Sequence, residues 1–116
     1  MFYLDEGIDT GDIIGQESFI IDKDDTSDIL YSKIINTGKK LIKKYLLKLI
    51  NNEIEKIPQD EKNVIEFISP KSNEIFLDDN VEIMYRKIRA FSKPYNGAYI
   101  QKDGKKLIIW KAKLIE

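Results

Sequence analysis

The apolar positions of this chain fall into blocks of different period. Phe2-Tyr3-Leu4 is a short apolar run, and Ile13 to Ile21 (IIGQESFII) is a longer one. Both read as strands. Between them, Asp5 to Asp12 (DEGIDTGD) reads as a loop, because Gly7 and Gly11 flank Asp and Thr in turn-forming positions. Gly15 inside the second run marks a bulge or a close approach of another part of the chain. From Ile29 the period lengthens: Ile29, Leu30, Ile34, Leu41, Ile42, Tyr45, Leu46, Leu49 and Ile50 recur at three- and four-residue spacing, which predicts a helix. Asp24-Asp25-Thr26-Ser27 precedes it, with Asp25 or Thr26 as the cap and Asp28 favoured by the positive helix end. Gly38 interrupts the stripe, as a close contact or a kink. Lys39, Lys40, Lys43, Lys44 and Lys48 crowd the later half, where the helix dipole favours cations, and the helix is expected to stop near Asn51-Asn52.

Further on the pattern is sparser. Glu53 to Asp60 is a connector containing Pro58, Val64 to Ile68 reads as a short strand, and Ser69 to Leu77 is irregular. Asp78 or Asp79 then caps a second helix running to about Phe91, with Val81, Met84, Tyr85, Ile88 and Phe91 on one face. Lys93-Pro94-Tyr95-Asn96-Gly97 breaks it. Ala98–Gln101 and Lys106–Leu114 form a hairpin around Asp103-Gly104, a strong two-residue turn signal. The predicted fold is α/β: a sheet containing the first two strands, covered by the long helix, then a second helix leading into a hairpin.

A length of 116 residues suits one small domain, and 34% charged with 42% apolar residues reads as globular rather than disordered. No apolar run approaches the roughly 18 residues of a membrane span, and the opening MFYLDEG lacks a signal peptide's basic flank, so a cytoplasmic setting is expected. Cysteine and histidine are both absent. That excludes disulfides, thiolate zinc sites, iron–sulfur clusters, a thiol nucleophile and a Ser-His-Asp triad within the chain, and no metal site is expected. Charge is uneven. Residues 1–38 hold nine acids against Lys23 and Lys33, whereas residues 84–115 hold nine basic groups and only Asp103. The basic tail is either a solvated face or a surface for nucleic acid or phosphate.

The acidic loop carries the most information. As a calcium loop its spacing fits poorly, since oxygen ligands are needed at alternate positions with a closing acid about twelve residues on. Asp9-Thr10-Gly11 matches the triplet of aspartic proteases, in which two such carboxylates share a proton. That fold is nearly all β, however, and a long helix follows the triplet here. A plain solvated turn remains the third reading.

A fourth reading comes from a resemblance. Asp5, Gly7, Asp9, Thr10, Gly11, Asp12 and Ile13 match a D-x-G-x-D-T-G-D-I loop, and Asp25, Thr26, Leu30, Tyr31 and Lys33 match the helix start that follows it. Ile88-Arg89-Ala90-Phe91, then Pro94-Tyr95-Asn96-Gly97-Ala98-Tyr99, then Ile109-Trp110-Lys111-Ala112 complete the pattern. Together they resemble the formyltransferases that use 10-formyltetrahydrofolate. The likeness is weakest over residues 51–77.

The resemblance implies that residues 1–68 are the C-terminal portion of a Rossmann-like catalytic domain, and that residues 69–116 are a linker helix and the start of a small OB-like β domain. Asp9 falls on the family's catalytic Asp. Leu4, Asp5, Glu6, Gly7, Ile8, Thr10, Gly11 and Asp12 fall on the loop that lies along the pterin of the folate co-substrate. Formyl transfer from 10-formyltetrahydrofolate to an amine passes through a tetrahedral oxyanion and removes an amine proton, so it calls for oxyanion donors and a carboxylate to hold a base or relay a proton. The family's Asn and His lie in an earlier stretch that this sequence does not contain. The expectation is therefore an internal Met1 of a longer frame, in preference to a split or degenerate gene product, and an inactive isolated chain. The junction Lys93–Tyr99 is closer to the P-Y-P-G-A of the branch that formylates nucleotide-linked amino sugars than to the junction of the methionyl-tRNA branch. Asn96 departs from the second proline of both. The implied partners are thus the folate and an amino-sugar nucleotide or, alternatively, initiator methionyl-tRNA, with no membrane.

Overall fold

The computed structural model describes residues 1–60, 69 and 72–115. Among them lie helix α1 (Ser27–Ile50), helix α2 (Val81–Ala90) and an antiparallel pair, β1 (Ala98–Lys102) with β2 (Lys105–Ile109). The strand expected over Val64–Ile68 lies outside the described residues. Contacts divide the chain into two units, one made of Met1–Ile20 with Lys33–Phe67 and the other of Ile21–Ser32 with Ile68–Glu116.

In the first unit, Phe2–Leu4 and Ile13–Ile21 do not extend into full strands. They meet at isolated antiparallel bridges, Phe2 with Ile13 and Ile13 with Ile57. Ile13 exchanges both backbone hydrogen bonds with Ile57, at 2.7 and 3.2 Å, while Tyr3 N donates to Asp12 O at 2.9 Å. Neighbouring peptide units thus point to opposite sides, as in a central strand. Exposed Gln16–Ile21 carries no ladder, which is why the run stops short of a strand. Ile14 is buried, and a Cβ on Gly15 would stand 2.3 Å from the Tyr45 ring, so this glycine marks a close approach.

Helix α1 ends as the sequence predicts. Asn52 is left-handed at φ 56°, Asn52 N donates to Leu49 O, and Glu53 N donates to Lys48 O at 2.8 Å. This is the double bond of a Schellman stop, with Asn in the place glycine usually takes. At Gly38 the helix neither breaks nor meets a neighbour within 4 Å. Much of its apolar stripe is exposed, including Ile34, Ile42 and Leu46.

The second unit has the clearer core. Ile75, Ile88 and Ala98 are buried together, with Met84, Phe91, Ile100 and Ile109 packed against them. The α2 positions chosen by periodicity supply Met84, Ile88 and Phe91, whereas Val81 is exposed. The cap is Asn80 rather than Asp78 or Asp79: its side chain accepts from Glu82 N at 2.8 Å. Asp79 turns instead to Phe76 N and to Lys87. The hairpin turns at Asp103-Gly104, both with positive φ (52° and 70°), the conformation a tight two-residue turn demands. Strand β2 is shorter than the periodicity suggests, and Trp110 lies beyond it, 43% exposed.

Candidate functional site

The acidic loop of the first unit is closed at its base and held from inside. Asp5 Oδ1 accepts from Gly7 N at 3.0 Å and from the Thr10 hydroxyl at 2.7 Å, an Asx turn doubled by a side-chain bond. Gly11 is buried where the chain returns beneath Tyr3; a Cβ there would lie 1.8 Å from Tyr3 O. Asp9 stands at the outer bend with φ 57°, a left-handed conformation that Asp tolerates better than most residues. Its carboxylate is exposed and has no bonding partner among the described residues. Leu4 and Ile8 are 90% and 92% exposed beside it, so two aliphatic side chains and several carboxylates share one solvent-facing loop.

One further residue belongs to this loop. Gln59 Nε2 donates to Asp9 O at 2.8 Å and to Gly11 O at 2.7 Å. Sequence reasoning missed it, since it lies about fifty positions away in the connector. No local pattern in the sequence marks it.

The second unit holds a cleft of about 610 Å³, lined among others by Asp24, Tyr85, Arg89, Lys93 and Trp110. The Tyr85 hydroxyl donates to Asp24 at 2.9 Å, and this bond to a carboxylate raises the tyrosine pKa. Arg89 lies 5.0 Å over the Tyr85 ring and donates through Nη1 to the backbone oxygen of Asp25 at 2.8 Å, while its buried Nε has no hydrogen-bond partner among the described residues. Lys93 lies 5.8 Å over Trp110. Among the described residues no group of three or more acidic side chains is placed to hold a metal ion, and no helix is long and apolar enough to cross a membrane.

Residues 67–116 match the formyl transferase C-terminal domain. Over 108 residues, 91% of this chain, the sequence is 38% identical to the methionyl-tRNA formyltransferase of Lactobacillus gasseri. The chain belongs to the formyltransferase family. Among solved structures it is similar to a 4-N formyltransferase from Francisella tularensis (TM-score 0.76, 28% identity, 96% of this chain). It is also similar to a sugar N-formyltransferase from a Shewanella species (TM-score 0.72, 28% identity, 97% of this chain). It spans 34% of the Lactobacillus protein and 49% of each solved chain. An α/β formyltransferase fold is thus common to the relatives, and both acceptor branches appear among them.

Proposed function

We propose that this chain is the part of a formyltransferase that brings Asp9 to the reacting centre, in a protein that moves a formyl group from 10-formyltetrahydrofolate to the amino group of a nucleotide-linked sugar. In this reading residues 1–68 close a Rossmann-like catalytic domain, and residues 69–116 are the linker helix and the beginning of an OB-like β domain. The carrying observation is the loop itself: a closed turn that presents Asp9 at its outer bend, with the family's motif residues around it.

The loop suits the folate in kind. A pterin offers a flat face and N–H donors, and Leu4 and Ile8 offer exposed aliphatic surface between the acceptors Asp5, Glu6 and Asp12. The folate supplies the formyl carbon. Asp9 holds the group that takes the amine proton; the resemblance makes that base a histidine, a residue type this chain lacks. Oxyanion donors such as the family's Asn are likewise not contributed by the loop. The 116-residue chain alone therefore transfers no formyl group, and turnover by the purified chain would count against this division of roles.

A second acceptor reading is methionyl-tRNA, favoured by the identity to the Lactobacillus enzyme and by the basic 84–115 segment. A non-catalytic module of the same fold is a third. Replacing the matched regions of the Shewanella and Lactobacillus enzymes by this chain separates them. Transfer is expected in the sugar-acting host, with Asp9→Asn lowering it by about 10²- to 10⁴-fold, the range for loss of acid–base assistance. Stronger transfer in the tRNA-acting host reverses the acceptor assignment. Well-folded chimeras inactive in both hosts favour the non-catalytic module.

A further inference from the structure

We propose that Gln59 is the positioning residue of the Asp9 loop. This inference rests on the reading of Asp9 as the reacting carboxylate.

The register explains how Gln59 comes to be there. Ile13 and Ile57 form a hydrogen-bonded antiparallel pair. Two residues further along, the same register sets Gln59 opposite Gly11. Among the described residues the backbone ladder ends at the Ile13–Ile57 pair. The donors come from the Gln59 side chain instead. Its primary amide carries two hydrogens on one nitrogen, one for Asp9 O and one for Gly11 O. The two carbonyls flank Thr10, so the clamp fixes the peptide units on both sides of the turn that follows Asp9. Asp9 is left-handed, and without an external constraint a residue in that conformation relaxes readily towards the common regions. Thr10 is also bonded to Asp5, so the loop is braced from within and from the connector.

The claim is specific to donation. Glu at position 59 has the same shape but no hydrogens to give, and Met fills similar space without polar atoms. An Asp-specific endoprotease, which cuts on the N-terminal side of aspartate, reads the loop at Asp9 and Asp12 and the distant hairpin at Asp103. In the 116-residue chain, Gln59→Glu and Gln59→Met are each expected to raise cleavage at Asp9 and Asp12 relative to Asp103 by about tenfold, as loss of two hydrogen bonds enlarges the opened population. Using the ratio to Asp103 removes any general loss of folding. An unchanged ratio in both variants overturns the proposal, and so does a Gln59→Glu ratio equal to wild type, which would leave only packing. The two ideas fail separately. If Asp9→Asn leaves transfer intact in an active chimera while the cleavage ratios shift as stated, the clamp stands and the role of Asp9 falls.

Discussion

The backbone N–H of Ser27 donates to the Ser92 hydroxyl oxygen at 3.0 Å, across 65 positions of sequence. Both residues are buried. Ser27 returns the connection through its own hydroxyl, which donates to Ala90 O at 2.6 Å, and the Ser92 hydroxyl donates to Arg89 O at 2.8 Å. An orphan amide in the first turn of α1 and orphan carbonyls in the last turn of α2 are thereby satisfied together. Ser92→Ala removes the acceptor and leaves the Ser27 amide buried without one. We expect a loss of about 1–2 kcal/mol, the usual effect of deleting a capping oxygen or stranding a buried donor. Ser92→Thr keeps the hydroxyl and is expected to lose less. Urea unfolding of the two variants beside wild type checks this; equal stability of Ser92→Ala and wild type would show that water satisfies the amide.

That cap marks where the sequence stops being legible. The helix period, the Asn51-Asn52 stop and the Asp103-Gly104 turn are local in origin, so spacing and turn chemistry reveal them. Asp25 and Thr26 looked like the cap of α1 for the same local reason. In the fold, Asp25 accepts from Asp22 N, Thr26 bonds to Asp28, and the Ser27 amide is met by Ser92. No local pattern encodes a partner so far along the chain. The site divides the same way. The loop motif named Asp9 and its neighbours, while Gln59 depends on the pairing of Ile13 with Ile57. The expected strands failed for a related reason: apolar character was present at Ile20 and Ile21, but no ladder partner meets them among the described residues, and both are exposed.

Gly11 is the most confined position of the loop. A Cβ there would be 1.8 Å from Tyr3 O and 2.7 Å from Tyr3 C, both backbone atoms that no rotamer change can move aside. Gly11→Ala must separate the two chain segments and break the Tyr3–Asp12 hydrogen bond at the loop base. A cost of about 2–3 kcal/mol is expected, in the range of overpacking a tight contact. Amide hydrogen exchange offers the sharper check, with protection lost at Tyr3 while Ile75 and Tyr99 in the second unit keep theirs. Uniform loss across both units would mean that the substitution acts globally.

Ile88 is the buried residue of α2, 7% exposed in the cluster with Ile75 and Ala98, against which Met84, Phe91 and Ile109 also pack. Ile88→Ala removes buried carbon from a small cluster and is expected to cost about 2–4 kcal/mol. Val81→Ala, on the same helix but 58% exposed, is expected to change stability by less than about 0.5 kcal/mol. Thermal melts of the pair test whether the helical stripe or the observed burial governs stability. Equal losses at the two positions would show that Val81 is covered in solution.

Asp79 accepts from Lys87 Nζ at 2.7 Å and from Phe76 N at 3.1 Å. The Lys87 bond is the larger cause, and the Phe76 amide adds to it, in holding the carboxyl below its ordinary value. The unfolded chain binds that proton more readily than the folded one. The stabilisation is therefore complete above the unfolded value, near pH 4, and is lost as pH falls through the folded value. Asp79→Asn keeps an acceptor for Phe76 N but gives up the charge. It is expected to be less stable than wild type at pH 7, with the difference shrinking steadily below about pH 4 as the wild-type carboxyl is protonated. Asp28, held low by its bond from Thr26, titrates in both proteins and cancels from the comparison. The pair is partly exposed, so added salt should narrow the gap at pH 7 as well. Denaturant midpoints of the two proteins between pH 7 and pH 2 measure this directly, and a gap that stays constant over that range would remove the ion pair from the account of stability.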